Sequence, residues 1–179
     1  AEDNFASFGL EPLTSEGKGF SRGVEISLQK KSSDVPHYGL FSLTYSESRF
    51  TALDGIERRG SYEQNWIMNL GAGWIFSKYW EGSLKFRFAT GKPYTPYNSD
   101  GSQNVENYNS AKVIASHSLD IRIDRKWDLD GYNLIAYLDI QNIYNRKNVG
   151  FVRWDKRERK EDTSSSIGVL PSIGLSLEM

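Results

Sequence analysis

Residues 118–144 read SLDIRIDRKWDLDGYNLIAYLDIQNIY, and this stretch decides the fold. Leu119, Ile121 and Ile123 alternate with Asp120, Arg122, Asp124 and Lys126. Successive side chains of an extended strand point to opposite faces, so the run has one apolar face and one charged face. Asp130-Gly131 follows as a turn signal, since glycine takes the positive φ that tight turns need. The alternation then resumes. Leu134, Ala136, Leu138 and Ile140 share one face, with Tyr137, Asp139 and Gln141 on the other. The pattern predicts a hairpin of two long strands.

Working outward, the same period-2 pattern predicts strands at 20–30, 38–50, 64–76, 80–89 and 172–179. Val24, Ile26 and Leu28 oppose Glu25, Ser27 and Gln29. Phe41, Leu43 and Tyr45 oppose Ser42, Thr44 and Ser46. Trp66, Met68, Leu70, Ala72, Trp74 and Phe76 oppose Asn65, Asn69, Gly71 and Gly73. Leu84, Phe86 and Phe88 oppose Ser83, Lys85 and Arg87. Ile173, Leu175, Leu177 and Met179 oppose Ser172, Gly174, Ser176 and Glu178. Helical periodicity is nearly absent. Pro12, Pro36, Pro93 and Pro96 fall in connections and Pro171 at the entry of the last strand, so none removes a ladder donor mid-strand. The chain is predicted to be all-β, with about seven antiparallel strands.

Composition narrows the function classes. The 179 residues are 38% hydrophobic, 25% charged and 13% aromatic, with a net charge of −1. Aromatic and β-branched residues are plentiful, which argues against wholesale disorder. The longest run without a charge is 163–177, 15 residues and serine-rich, too short and polar for a spanning helix of about 18 apolar residues. A near-neutral chain carries no basic footprint for nucleic acid. Zero cysteines exclude a disulfide scaffold, thiolate zinc sites and thiol catalysis. No signal peptide opens at Ala1, so the stretch is expected to be mature or internal.

Alternation suits a soluble sandwich as well as a membrane wall, because a sandwich strand also has one apolar and one polar face. Three features favour the wall. The connections 31–37, 77–79 and 128–131 are short, while 51–63, 91–115 and 145–171 are long. In an up-and-down meander every second connection lies at the same end, so short turns gather on one side and long loops on the other. Outer-membrane barrels have this asymmetry, whereas long unstructured loops are uncommon in compact soluble domains. Several strands run to 10–13 residues, against a soluble mode of about 5–6 and a membrane need of about 9–11. Aromatics also gather at strand ends. Trp127, Tyr132, Tyr79, Trp80 and Tyr38 flank the short turns, and Tyr45, Trp66 and Tyr144 the long loops. Two such bands match interfacial girdles. The predicted fold is an antiparallel up-and-down transmembrane β-barrel. Its polar faces, with Glu25, Lys85, Arg87, Asp120, Arg122, Asp124, Lys126 and Asp139, are then expected to face the lumen.

Four segments resemble a known family. Gly19-Phe20-Ser21-Arg22-Gly23-Val24-Glu25 resembles the RGVE strand of TonB-dependent outer-membrane receptors, especially the Bacteroidetes type. Gly91-Lys92-Pro93-Tyr94-Thr95-Pro96 resembles their GxPYTP segment near the outer rim. Leu138-Asp139-Ile140-Gln141-Asn142-Ile143-Tyr144-Asn145-Arg146 is similar to their LDIQNLFNR strand. Leu170-Pro171-Ser172-Ile173-Gly174 resembles the start of their last strand. The closing residues 172–179 are similar to the signal read by the barrel-assembly machinery, with Gly174, Leu177 and Met179 at its marked positions; its last residue is usually Phe. The resemblance spans most of the chain from Gly19 onward, and the order of the motifs is more specific than any one of them.

The resemblance implies a barrel of roughly 22 strands around a plug. It implies residence in a bacterial outer membrane and TonB-driven uptake of a siderophore, glycan or peptide, with no enzymatic activity and no cofactor. The implied partners are the lipid bilayer and lipopolysaccharide, the rest of the barrel and its plug, TonB through an N-terminal part, and the assembly machinery. Residues 20–179 are expected to be the C-terminal segment of the barrel, the plug being absent, and 1–19 the remnant of an extracellular loop. Elementary physics points the same way. Seven strands are an odd count, and an open sheet has two edges whose unpaired backbone groups each cost several kcal/mol in hydrocarbon. An eighth strand at 4–10 would be short and poorly alternating. Two alternatives stay open: a small self-contained outer-membrane barrel with a structural or adhesive role, and a soluble β-sandwich binding module.

Candidate contact residues lie in the long loops. The loop 91–115 is rich in Tyr and Asn, among them Tyr94, Tyr97, Asn98 and Tyr108, and aromatic faces with amide donors suit sugar or peptide ligands. The run 153–160, with Arg153 and Trp154, suits anionic lipopolysaccharide or a surface lipoprotein, although a mixed charge run is more often a solvated hairpin. Asp120, Asp124, Asp128 and Asp130 match no calcium loop, His37 and His117 have no ligand spacing, and no nucleophile–base pair is present, so neither a metal site nor catalysis is expected.

Overall fold

A computed structural model describes residues 15–178. The weak strand candidate at 4–10, most of the 1–19 loop and Met179 of the assembly signal lie outside the described residues. The chain is all-β. In order it forms β1 (Lys18–Lys30), β2 (His37–Thr51), β3 (Glu57–Arg59), β4 (Trp66–Ser77), β5 (Trp80–Ala89), β6 (Pro93–Tyr94), β7 (Ala111–Lys112), β8 (Ser116–Leu129), β9 (Tyr132–Gln141), β10 (Val149–Asp155), β11 (Lys160–Ser165) and β12 (Leu170–Glu178). The main sheet is antiparallel and has 8 strands. Its order is β1-β2-β4-β5-β8-β9-β12, with β3 paired to the end of β2. It is open: β1 and β12 are not paired with each other.

The seven long strands stand where alternation predicts them, but several ends move. The eighth strand, β3, and the β6–β7 pair were not predicted, whereas the 153–160 run lies in the β10–β11 hairpin, as the solvated-hairpin reading of that run has it. The connection 91–115 holds β6, β7 and a 3-10 turn (Val105–Asn107), and 145–171 holds the β10–β11 hairpin, so neither is unstructured. β9 stops at Gln141, short of the expected 144, because Asn142 takes a φ of +52°. Its amide nitrogen donates to the Arg146 carbonyl and its side-chain oxygen accepts from the Arg146 N–H, closing a tight turn.

Register carries the alternation across strands. On one face Val24, Ile26 and Leu28 meet Tyr45, Leu43 and Phe41, which meet Trp66, Met68 and Leu70. The stripe continues through Phe88, Phe86 and Leu84 to Leu119 and Ile121, then Ile140 and Leu138, and ends on Ile173 and Leu175. None of the described strands packs on it. Among the described residues no hydrophobic side chain is buried, and Val24, Ile173 and Leu175 are 67%, 82% and 75% exposed. Such a sheet has no core of its own, because a core needs a second layer.

Glycines beneath tyrosines lock the opposite face. Tyr38 lies on the polar face opposite Gly73, and Tyr137 lies opposite Gly174. In both places a Cβ on the glycine would occupy the ring. This corrects the placement of Tyr38 in an aromatic girdle: its parity in β2 matches Ser42 and Thr44, not Phe41, and its hydroxyl donates to Glu81. On the apolar face Phe76, at a bulge in β4, covers Gly82 in the same manner.

The connections segregate. Residues 31–36, 78–79 and 130–131 make the three short turns at one end, and Gly131 takes the +80° φ of the last. Residues 52–65, 90–115 and 142–169 make the long connections at the other.

Candidate functional site

The long connections pack together above one end of the sheet, and a buried glutamate ties two of them down. Glu63 has a side chain 1% exposed. Its oxygens face Arg49 Nη1 at 2.5 Å, Lys112 Nζ at 3.3 Å and Arg59 Nε at 3.7 Å, and it accepts the Ser48 N–H at 3.1 Å. Burial pushes its pKa up, but the Ser48 N–H, Arg49 and Lys112 outweigh burial and hold the carboxyl below the usual glutamate value. Lys112 also donates to the Asn65 side chain. Asn109 is buried with φ +54° and donates to the Arg59 carbonyl, so the tip of one loop grips β3.

Above this base sits an aromatic cluster. β6 pairs with β7, which fixes Tyr94. Tyr94 donates its hydroxyl to Glu161 at 3.2 Å, and the Tyr97 N–H donates to the same carboxylate at 2.9 Å. Burial, then the charge and hydrogen bond of Glu161, raise the Tyr94 pKa. Glu161 faces Trp154 across the β10–β11 hairpin. The rings of Tyr97 and Trp154 lie 6.0 Å apart, and the Trp154 indole covers Gly101, whose φ is +85°. Loop 90–115 and the hairpin thus share one surface of two tyrosines, one indole and one carboxylate.

Of the six contact residues predicted from sequence, the structure brings together Tyr94, Tyr97 and Trp154. Tyr108 stands apart, edge-on to Phe50 with centroids 5.8 Å apart and beside the Ser61 hydroxyl. Asn98 bonds Ser102 within its own turn. Arg153 pairs with Asp162 at 2.8 Å, both side chains largely solvated, and the hydrogen bond lowers the Asp162 pKa. Glu161 and Glu63 were missed. Each is an isolated carboxylate whose partners lie far away in sequence, and no local pattern marks it.

The second site is the polar face. Glu25, Lys85, Arg87, Asp120, Arg122, Asp124 and Asp139 share it by register, as predicted. Arg87 pairs with Asp120 at 2.9 Å, and Asp120 accepts the Asn142 N–H at 2.9 Å. Arg122 clasps Asp124 with two nitrogens, Nε at 2.9 Å and Nη2 at 2.6 Å, and its guanidinium lies 3.9 Å from the centre of the Tyr137 ring. Near the long-loop end this face opens into a cavity of about 560 Å³ lined by Asn69, Arg87, Asp120, Gln141, Asn142 and Asn148. Ile67, Phe88, Ala89, Ile167 and Leu170 line it as well, so its wall is mixed rather than polar. Among the described residues no group of three or more His, Asp or Glu could hold a metal ion.

Gly174 and Leu177 of the expected assembly signal lie on opposite faces of β12, the first under Tyr137 and the second 60% exposed. Compared with known proteins, the chain matches no family model, no curated protein and no solved structure.

Proposed function

We propose that this chain forms part of the wall of an outer-membrane β-barrel, and that the protein is a TonB-dependent receptor taking up a nutrient such as a siderophore, glycan or peptide. The observation that carries the proposal is the uncovered apolar stripe from Val24 to Leu175 on a single antiparallel layer. In water so large a patch would drive association; against lipid it is the required surface. Strands of 9 to 15 residues are long enough to cross hydrocarbon when tilted. The one-sided short turns fit a periplasmic end, and the long packed loops an outer one.

Several observations favour a receptor wall over the alternatives. A self-contained small barrel would pair its edges, and β1 and β12 are not paired. A sandwich would cover the apolar face with a second sheet, and none of the described strands does so. Two of the four family-like motifs also sit at structural posts. Asn142 and Arg146 close the turn that ends β9, Gly91 lies against the Val113 backbone, and Pro93–Tyr94 forms β6. In this scheme the polar face lines the lumen and meets a plug. Tyr94, Tyr97 and Trp154 meet the incoming solute, and the solvated charges around Arg153 meet lipopolysaccharide or a surface lipoprotein.

The test uses the full-length protein in a Gram-negative host. It should fractionate with the outer membrane and cross-link to TonB. Recovery as a folded monomer without detergent would contradict the proposal.

A further inference from the structure

Arg125 breaks the pattern of its strand. It lies on the apolar face of β8, opposite Trp80 of β5 and Ala136 of β9. The other arginines of the long strands hold carboxylates: Arg22 with Glu47, Arg49 with Glu63, Arg87 with Asp120 and Arg122 with Asp124. Arg125 forms no ion pair among the described residues. Three rings surround it instead, with the guanidinium carbon 4.9 Å from the Trp80 centroid, 5.2 Å from Tyr79 and 5.4 Å from Trp127. Stacking occupies the faces of a guanidinium and leaves its in-plane N–H donors free for a forked oxyanion. Beside it an open groove of about 680 Å³ runs along the apolar face over Ile123, Leu138, Ile173 and Leu175.

We propose that this is a binding site for an anionic glycerophospholipid. The headgroup phosphate is held by Arg125 within its aromatic ring set, and an acyl chain lies along the groove. The inference rests on the membrane-wall proposal above. Charge complementarity selects the occupant: an unpaired cation at the end of an apolar groove fits a ligand that is anionic at one end and hydrocarbon along the rest. Arg125 stands near the short-turn end, paired with Trp80, the first residue of β5 after the short turn 78–79, which is the level of a lipid headgroup rather than of the hydrocarbon centre.

The test places the full-length protein in phosphatidylcholine vesicles with a photoreactive acyl probe on either phosphatidylglycerol or phosphatidylcholine, at equal mole fraction. Labelling is mapped to the peptide containing β12. The phosphatidylglycerol probe should label it about fivefold more, the factor that corresponds to the ~1 kcal/mol of one interfacial cation. Arg125→Gln should bring the two probes level, and Arg125→Lys should keep most of the excess. Equal labelling in the wild type, or an excess that survives Arg125→Gln, overturns the site. An excess removed by inorganic phosphate makes it a phosphate site and overturns the lipid assignment. If neither probe labels any strand, the membrane wall itself fails.

Discussion

Three cations converge on Glu63, and two of the long connections depend on that meeting. A carboxylate whose pKa falls on folding adds stability above its unfolded value and loses it as pH drops through the folded one. For Glu63 the loss lies below about pH 4.5. The protection of β3 and β6–β7 amides, taken relative to the intrinsic exchange rate at each pH, should therefore fall in acid below that value and stay level above it. Glu63→Gln should loosen both at neutral pH by about 1–2 kcal/mol, less than a fully buried pair would lose because its cations reach water. Unchanged exchange in the variant would mean that other contacts hold the loops. The Tyr38–Gly73 pair allows a second test at this scale. Gly73→Ala should cost about 1–3 kcal/mol by overpacking, and much less in a Tyr38→Ala background. Additive costs in denaturant unfolding would show that the ring does not occupy that space. Sequence disclosed these residues unevenly. Arg125 was not singled out from sequence, although its apolar parity between Ile123 and Trp127 marks it. Glu63 and Glu161 carry no such mark, since only tertiary folding brings their partners near.

Strand positions and facing were the most legible features, because a period of two is a local property. Leu119, Ile121 and Ile123 face one way in β8 and Asp120, Arg122 and Asp124 the other, as the alternation requires. Strand ends were less legible, since they depend on caps such as Asn142, whose role rests on a positive φ and on bonds to Arg146. The β10–β11 hairpin was legible only as the mixed charge run at 153–160; its strand bounds were not, because residues 149–165 lack a clean alternation. Facing has a direct energetic consequence. Ile121→Lys should cost about 2–4 kcal/mol in bilayer folding titrations if the residue meets lipid. Arg122→Lys gives up only the forked Asp124 contact and the Tyr137 stack, at about 1 kcal/mol or less. Similar costs at the two positions would reverse the assignment of faces.

At the scale of the molecule the sheet has, among the described residues, an uncovered apolar face and two edges, β1 and β12, that pair on one side only. A low hydropathy, −0.57 on average, excluded spanning helices yet suits a wall in which every second residue is polar. Whether the wall closes was not legible in 179 residues, because closure depends on strands that would pair with β1 and β12. The aromatic site at the long-loop end was half legible. Composition pointed to the tyrosines of loop 90–115, but their convergence on Trp154 needed the hairpin to fold beside them. The central claim is that one face of this sheet touches lipid and the other water. The chain has no cysteine, so single substitutions from Leu119→Cys through Asp124→Cys can each carry a nitroxide in the full-length protein, reconstituted in bilayers after removal of any cysteines elsewhere. Collision rates with oxygen should peak at 119, 121 and 123, and those with a water-soluble nickel chelate at 120, 122 and 124. Equal nickel access at all six positions, or the opposite phase, would contradict the account.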